Sequence, residues 1–168
     1  LHRAGALGPD MLAVHVIQVD AADIATLAAT GTAVAHCPRS NRHLHCGVAP
    51  VAEMLAAGII VGLGTDSLAS NDSLDMFEEM RAALAASPAR AGFAGGSGAA
   101  GTAPAAPAAA DPMGAPAGGP PGVLTPSDVL RMATLDGARA LGWDHLVGSL
   151  EAGKRADIVV VEVRRAGS

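Results

Sequence analysis

Apolar residues fall into three short runs, each closed by a polar residue and followed by a helix-like pattern. Met11-Leu12-Ala13-Val14-His15-Val16-Ile17 carries one polar residue near its end, which predicts a strand buried on both faces, as parallel strands are. Asp20 is a helix N-cap for residues 21–29, and Asp23 adds a carboxylate to the positive first turn. Gly31 ends that helix. Thr32-Ala33-Val34-Ala35-His36 is the second strand, stopped by Pro38. A polar loop, 37–47, follows and is long for a connection between a strand and a helix. Pro50 opens a helix at its first position and Gly58 closes it. Ile59-Ile60-Val61-Gly62-Leu63, rich in β-branched residues, is the third strand and delivers Asp66 at its C-terminal end. Asn71, Asp72 and Ser73 offer caps for a helix through about Ala86. Its expected apolar stripe is Leu74, Phe77 and Met80-Arg81-Leu84, with Glu78 and Glu79 on a solvated face.

Strand and helix alternate three times over 1–86, which implies a parallel sheet or barrel. The stretch 87–122 is Ala, Gly and Pro with almost nothing larger to bury, and is expected to be a disordered insert. Order resumes in 123–147. Thr125 caps a helix that has Pro126 at its first position and Asp128 in its first turn, and a second short helix covers about 137–141. The final part, 148–168, is a glycine-rich turn followed by a strand over 158–163.

Composition narrows the function classes. Half of the 168 residues are hydrophobic, enough for a core, but there is no Tyr, one Trp and two Phe, so Ala and Gly do much of the filling. A net charge of −5 without a basic stripe argues against a nucleic-acid surface. Cys37 and Cys46 are too few for a disulfide framework and read as reduced thiols of a cytoplasmic protein. No signal peptide or membrane span is legible. The chain opens on Leu1 inside what reads as a helix end, so a fragment of a longer protein is expected.

Three polar residues stand at the ends of the three strands: His15, His36 and Asp66. Parallel strands bring these ends to one face, where chemistry sits in such architectures. Imidazole and carboxylate suit Zn or Fe. The competing reading makes Asp66 a turn or helix cap and each histidine a hydrogen-bonded core residue.

His15 in Ala-Val-His, the run His36-Cys37-Pro38-Arg39-Ser40-Asn41, and Leu63-Gly64-Thr65-Asp66-Ser67 with Ala69-Ser70-Asn71 resemble the amidohydrolase superfamily. The branch it resembles is the one with cytosine and guanine deaminases, methylthioadenosine/S-adenosylhomocysteine deaminases, aminofutalosine deaminases and chlorotriazine hydrolases. The stretches 132–142 and 148–157 are similar to the same branch.

The resemblance implies an α/β fold: the last three strands of a (β/α)8 TIM-type barrel plus the C-terminal strand of a small β-sandwich domain. It implies one divalent metal ion, Zn or Fe, with Asp66 as ligand and as acceptor of a proton from the attacking water. His15 would hydrogen-bond that water or the developing alkoxide. His36 would line the substrate pocket or hold the loop. Ser40 and Asn41 would order the loop or face substrate, and Ser67, Ser70 and Asn71 would touch substrate or cap a helix. His43 and His45 are given no metal role and read as solvated. The family's His-x-His pair on the first strand, and its fifth-strand His with a nearby Glu, have no counterpart in these residues, so the chain alone is expected not to assemble the site.

The implied reaction is hydrolytic deamination of an aminopurine nucleoside or another small heteroaromatic amine, with homo-oligomerisation left open. A triazine-type chlorohydrolase or other cyclic C–N hydrolase is the rival within the class. A non-catalytic homologue or fragment acting as a binding module is the rival outside it.

Overall fold

The structure, a computed structural model, describes residues 1–94 and 122–162, with side chains described over 1–87 and 122–162. Three parallel strands form one sheet in the order β1 (Leu12–Val14), β2 (Ala33–His36), β3 (Val61–Leu63). Leu12 pairs with Ala33 and Val34 with Val61, so the C-terminal ends of all three strands lie on one edge. α1 (Ala21–Thr30) links β1 to β2, while α2 (Pro38–His43) and α3 (Val51–Ala56) link β2 to β3. After β3 come α4 (Met76–Ala94), α5 (Pro126–Ala133) and α6 (Leu135–Ala140), and the last two pack on β3.

The helix boundaries follow local chemistry. Asp20 accepts from the N–H groups of Ala22 and Asp23, and Asp23 returns a bond to the Asp20 N–H, a capping box that satisfies otherwise orphaned donors. Gly31, at φ 69°, closes α1 in the left-handed conformation. Thr125 and Asp128 form the same box at the start of α5. Val34, Met54, Val61 and Met132 are fully buried and form the centre of the core, with Ile24, Leu27, Val51 and Val129 around them.

Several expectations need correction. β1 ends at Val14, not Ile17, because His15 and Val16 take left-handed backbone (φ 70° and 44°) that no strand can continue. It is also not buried on both faces: Val14 is half exposed at the open edge of the sheet. The polar loop is partly helical, since Pro38 both stops β2 and begins α2. α4 starts at Met76, where the Asp75 carboxylate accepts from the Phe77 N–H, and runs through Ala94, past the expected end near 86. The rest of the expected disordered insert, 95–121, lies outside the described residues.

α4 buries Glu79, Ala83 and Ser87, at i, i+4 and i+8, while Leu74 and Phe77 are exposed. Met80 and Leu84 of the expected stripe are partly buried and pack against the core, so the inner face mixes apolar, small and polar residues. α6 begins at Leu135, directly after α5. Residues 158–162 form no strand and expose Ile158, Val159 and Val160; a strand needs a partner edge, and the described residues provide none there. Val163 lies outside the described residues.

Gly62 shows how closely α6 approaches the sheet. A Cβ on Gly62 would lie 3.0 Å from the Cα of Gly137. Two glycines facing each other let helix and strand backbones meet.

Candidate functional site

Asp66 sits three residues beyond β3 with φ 59°, so the chain turns sharply there. The side chain is one-third exposed. Its Oδ2 accepts from Ser40 Oγ at 2.7 Å and from Ser70 Oγ at 2.8 Å; its Oδ1 accepts from the Ser67 N–H at 2.8 Å. Ser40 and Ser70 also lie 3.0 Å apart, but each hydroxyl has one proton, and both protons are committed to Asp66. The Ser40 hydroxyl, then the Ser70 hydroxyl, then the Ser67 N–H hold the Asp66 carboxyl below its ordinary range, with His15 adding a little.

His15 comes from the end of β1. Its Nε2 is 3.7 Å from Asp66 Oδ2, and its Nδ1 is 2.8 Å from Asn41 Oδ1. Asn41 is buried on α2, where its N–H donates to the Cys37 carbonyl and its carbonyl accepts from the Cys46 N–H. Elements far apart in sequence thus converge: β1 supplies His15, α2 supplies Ser40 and Asn41, and the segment after β3 supplies Asp66 and Ser70.

His36 is not brought to this cluster. It is 3% exposed and lines a small cavity beside Ala49, Val51, Ala83 and Leu124, between α3 and α4. Burial, and secondarily the charge of His15, push its pKa down to about 4, so the ring is neutral near pH 7. Its Nδ1 is buried without a hydrogen-bond partner among the described residues. Ser67 is exposed beside Asp66, with its Oγ accepting from the Ala69 N–H in the turn. His43 and His45 are exposed. The Cys37 thiol is pushed up to about 11, by burial first and then by Asp66 and Glu79, so it is protonated and not nucleophilic.

Glu79, placed above on a solvated face, is wholly buried instead. Its Oε1 accepts from Asn71 Nδ2 at 2.6 Å and its Oε2 from the Arg39 N–H at 3.2 Å. Asn71 Nδ2 also donates to the Thr65 carbonyl at 2.8 Å. Burial raises the Glu79 carboxyl, opposed by the Arg39 N–H and the Asn71 amide. The Arg39 guanidinium pairs with Asp72 and Glu78. These contacts clamp the Asp66 segment onto α2 and α4. Glu79 shares one face of α4 with Ala83 and Ser87, at i, i+4 and i+8, a spacing that places the three together without marking that face as the buried one.

An ionised carboxylate with an imidazole nitrogen beside it is a donor pair suited to zinc. Among the described residues, no group of three or more His, Cys, Asp and Glu comes together to hold an ion. The Asp66 carboxylate fits one position of such a ligand set, with the His15 ring beside it, and the described residues do not make a whole one.

The model of the amidohydrolase family matches residues 1–100 and 99–167, and the chain belongs to that family. It is 40% identical over 165 residues to a 5-methylthioadenosine/S-adenosylhomocysteine deaminase of Moorella thermoacetica, covering 98% of this chain and 32% of that protein. It is 36% identical over 166 residues to an S-triazine hydrolase of Gordonia rubripertincta, covering 99% of this chain and 29% of the relative. Among solved structures, an adenosine deaminase from Xanthomonas campestris with bound zinc superposes with a TM-score of 0.73 at 35% identity, over 93% of this chain and 29% of that one. The chain spans about a third of the length of the curated relatives it matches.

Proposed function

We propose that this chain is the C-terminal part of a metal-dependent hydrolase of carbon–nitrogen bonds, which deaminates an aminopurine nucleoside or related heteroaromatic amine. The observation that carries this reading is the Asp66 carboxylate, held ionised by two hydroxyls with His15 Nε2 3.7 Å away, at the edge where the parallel strands end. The likeness to the Moorella and Xanthomonas deaminases supports it. In this reading the three strands are the last of a (β/α)8 barrel, and residues 158–162 pair with a sheet outside this chain.

Asp66 is one ligand of a single Zn or Fe ion, and the other ligands lie outside these residues. When bound, such an ion lowers the pKa of water toward about 7. Asp66 takes the proton from the attacking water and passes it to the departing nitrogen. His15 Nε2 accepts a hydrogen bond from the same water and steers it to the ring carbon. As the oxygen–carbon bond forms, the carbon–nitrogen bond breaks and ammonia leaves. Ser40 and Ser70 keep Asp66 ionised before the transfer. Ser67, exposed beside Asp66, is the serine suited to meet substrate; the burial of His36 supports a loop-holding role instead.

The test is metal content and ammonia release by the full-length protein with methylthioadenosine, S-adenosylhomocysteine, aminofutalosine, guanine and cytosine. About one metal per chain and ammonia from one substrate is the expected result. The likeness to the S-triazine hydrolase favours a second reading, cyclic C–N or C–Cl hydrolysis, which bound metal without ammonia would select. A full-length protein that binds no metal would sink both and leave a binding module. Asp66→Asn should lower turnover by at least about 100-fold with folding retained; near-normal turnover would overturn the role of Asp66.

A further inference from the structure

We propose that Asn41 is a positioning residue that fixes His15 in the tautomer bearing Nδ1–H, which leaves the Nε2 lone pair facing Asp66. The inference rests on the reading of His15 given above. Asn41 Oδ1 lies 2.8 Å from His15 Nδ1, and Nε2, the other ring nitrogen, lies 3.7 Å from Asp66 Oδ2. In a neutral imidazole one nitrogen donates and the other accepts, so whatever holds Nδ1 decides what Nε2 can do.

The amide has two orientations, and they differ in consequence. With Oδ1 toward the ring, Nδ1–H donates to it whether His15 is neutral or an imidazolium, since both forms carry that proton. With Nδ2 toward the ring, an imidazolium would set two donors face to face. Only the first orientation leaves Nδ1 with an acceptor and Nε2 free to accept from the water. Asn41 is 2% exposed, and both its backbone groups are tied, the N–H to the Cys37 carbonyl and the carbonyl to the Cys46 N–H. Its Nδ2 is buried without a hydrogen-bond partner among the described residues, so the bond to His15 is the contact that orients the amide. His15 itself sits in left-handed backbone, φ 70°, and its ring is fixed by the bond from Nδ1 to Asn41 Oδ1.

Asn41 touches neither the water nor the substrate in this scheme, so its loss should move turnover rather than binding. In the full-length protein, Asn41→Leu should lower kcat by about 10–100-fold while KM and metal content stay within about twofold. Asn41→Asp, which keeps an acceptor in the same place, should recover most of that loss. An activity-independent reading comes from nitrogen NMR of 15N-histidine-labelled protein near neutral pH. His15 should show a protonated, pyrrole-like Nδ1 and an unprotonated, pyridine-like Nε2, and Asn41→Leu should let the second tautomer appear. A His15 that carries its proton on Nε2 in the unaltered protein overturns the proposal, as does an Asn41→Leu protein with unchanged tautomer and kcat. If Asn41→Leu does not fold, the spectrum of the unaltered protein decides alone. The spectrum also separates this inference from the functional reading: the expected tautomer without ammonia release from any substrate would sink the deaminase and leave the Asn41 assignment standing.

Discussion

Glu79 Oε1 accepts a 2.6 Å hydrogen bond from Asn71 Nδ2, in the interior and five residues along from Asp66. The same carboxylate takes the Arg39 N–H through its other oxygen, so a single buried acid joins α4, α2 and the segment carrying the candidate catalytic aspartate. Glu79→Ala would leave the Arg39 N–H and one of the two Asn71 Nδ2 protons without an acceptor, the other keeping the Thr65 carbonyl, at a cost of about 1–3 kcal/mol for each proton left unpaired. The urea midpoint should fall markedly, and Glu79→Gln, which keeps one acceptor oxygen, should fall less. Equal midpoints for the unaltered and Ala proteins would show that the clamp contributes nothing.

Ser40→Ala removes the larger of the two hydroxyl contributions that depress the Asp66 carboxyl. The carboxyl then rises toward its ordinary value. A carboxylate that must be ionised to accept a proton loses function as it protonates, so the acidic limb of the pH profile of kcat/KM should move to higher pH. Activity at the optimum should drop by about tenfold. An unshifted limb would mean that Ser40 only supports the loop.

Gly62→Ala places a Cβ 3.0 Å from the Gly137 Cα, a backbone atom that moves only with α6. The expected destabilisation is about 1–3 kcal/mol, with a lower Tm. A Tm within a degree or so of the unaltered protein's would show that α6 slides away freely.

His36 titrates at about 4 when folded and at 6.5 in its ordinary state. The unfolded chain therefore binds more protons between those values, and stability rises with pH across that window. The contribution is fully present above about 6.5, is lost as pH falls toward about 4, and amounts to about 3 kcal/mol at most. Denaturant titrations at pH 4.5 and 7 should show the loss, and His36→Gln should flatten it. A loss of the same size in His36→Gln would assign it to other groups.

Much of this was legible in the residues. Asp20 and Thr125 announce their helices because capping is local chemistry, and the apolar runs locate three strands whose ends carry His15, His36 and Asp66. The left-handed break at His15 and Val16 was not legible, because a β-branched valine argues for continuing the strand and only tertiary context overrides it. Glu79 was misplaced because its burial depends on acceptor demand from Asn71 and Arg39, residues 8 and 40 positions away. His36 shares the strand-end pattern of His15, yet its side chain faces the helices, and strand-end position alone does not separate the two. Residues 158–162 have strand composition, but a strand is a property of a pair.

The bonds that assemble the Asp66 cluster span 26 residues from Ser40 and 26 from His15 to Asn41, and the Glu79 clamp reaches 40 back to Arg39. The bonds to Asp66 and Glu79 cannot close until α3 has carried β3 alongside β2, whereas His15–Asn41 needs only β1 and β2 paired. The cost of closing such loops falls on the sheet, and the polar contacts form on a frame already built. Catalytic geometry should then be among the last features acquired as the chain folds. Ser40→Ala is expected to speed unfolding while leaving the folding rate nearly unchanged, giving a φ-value near zero.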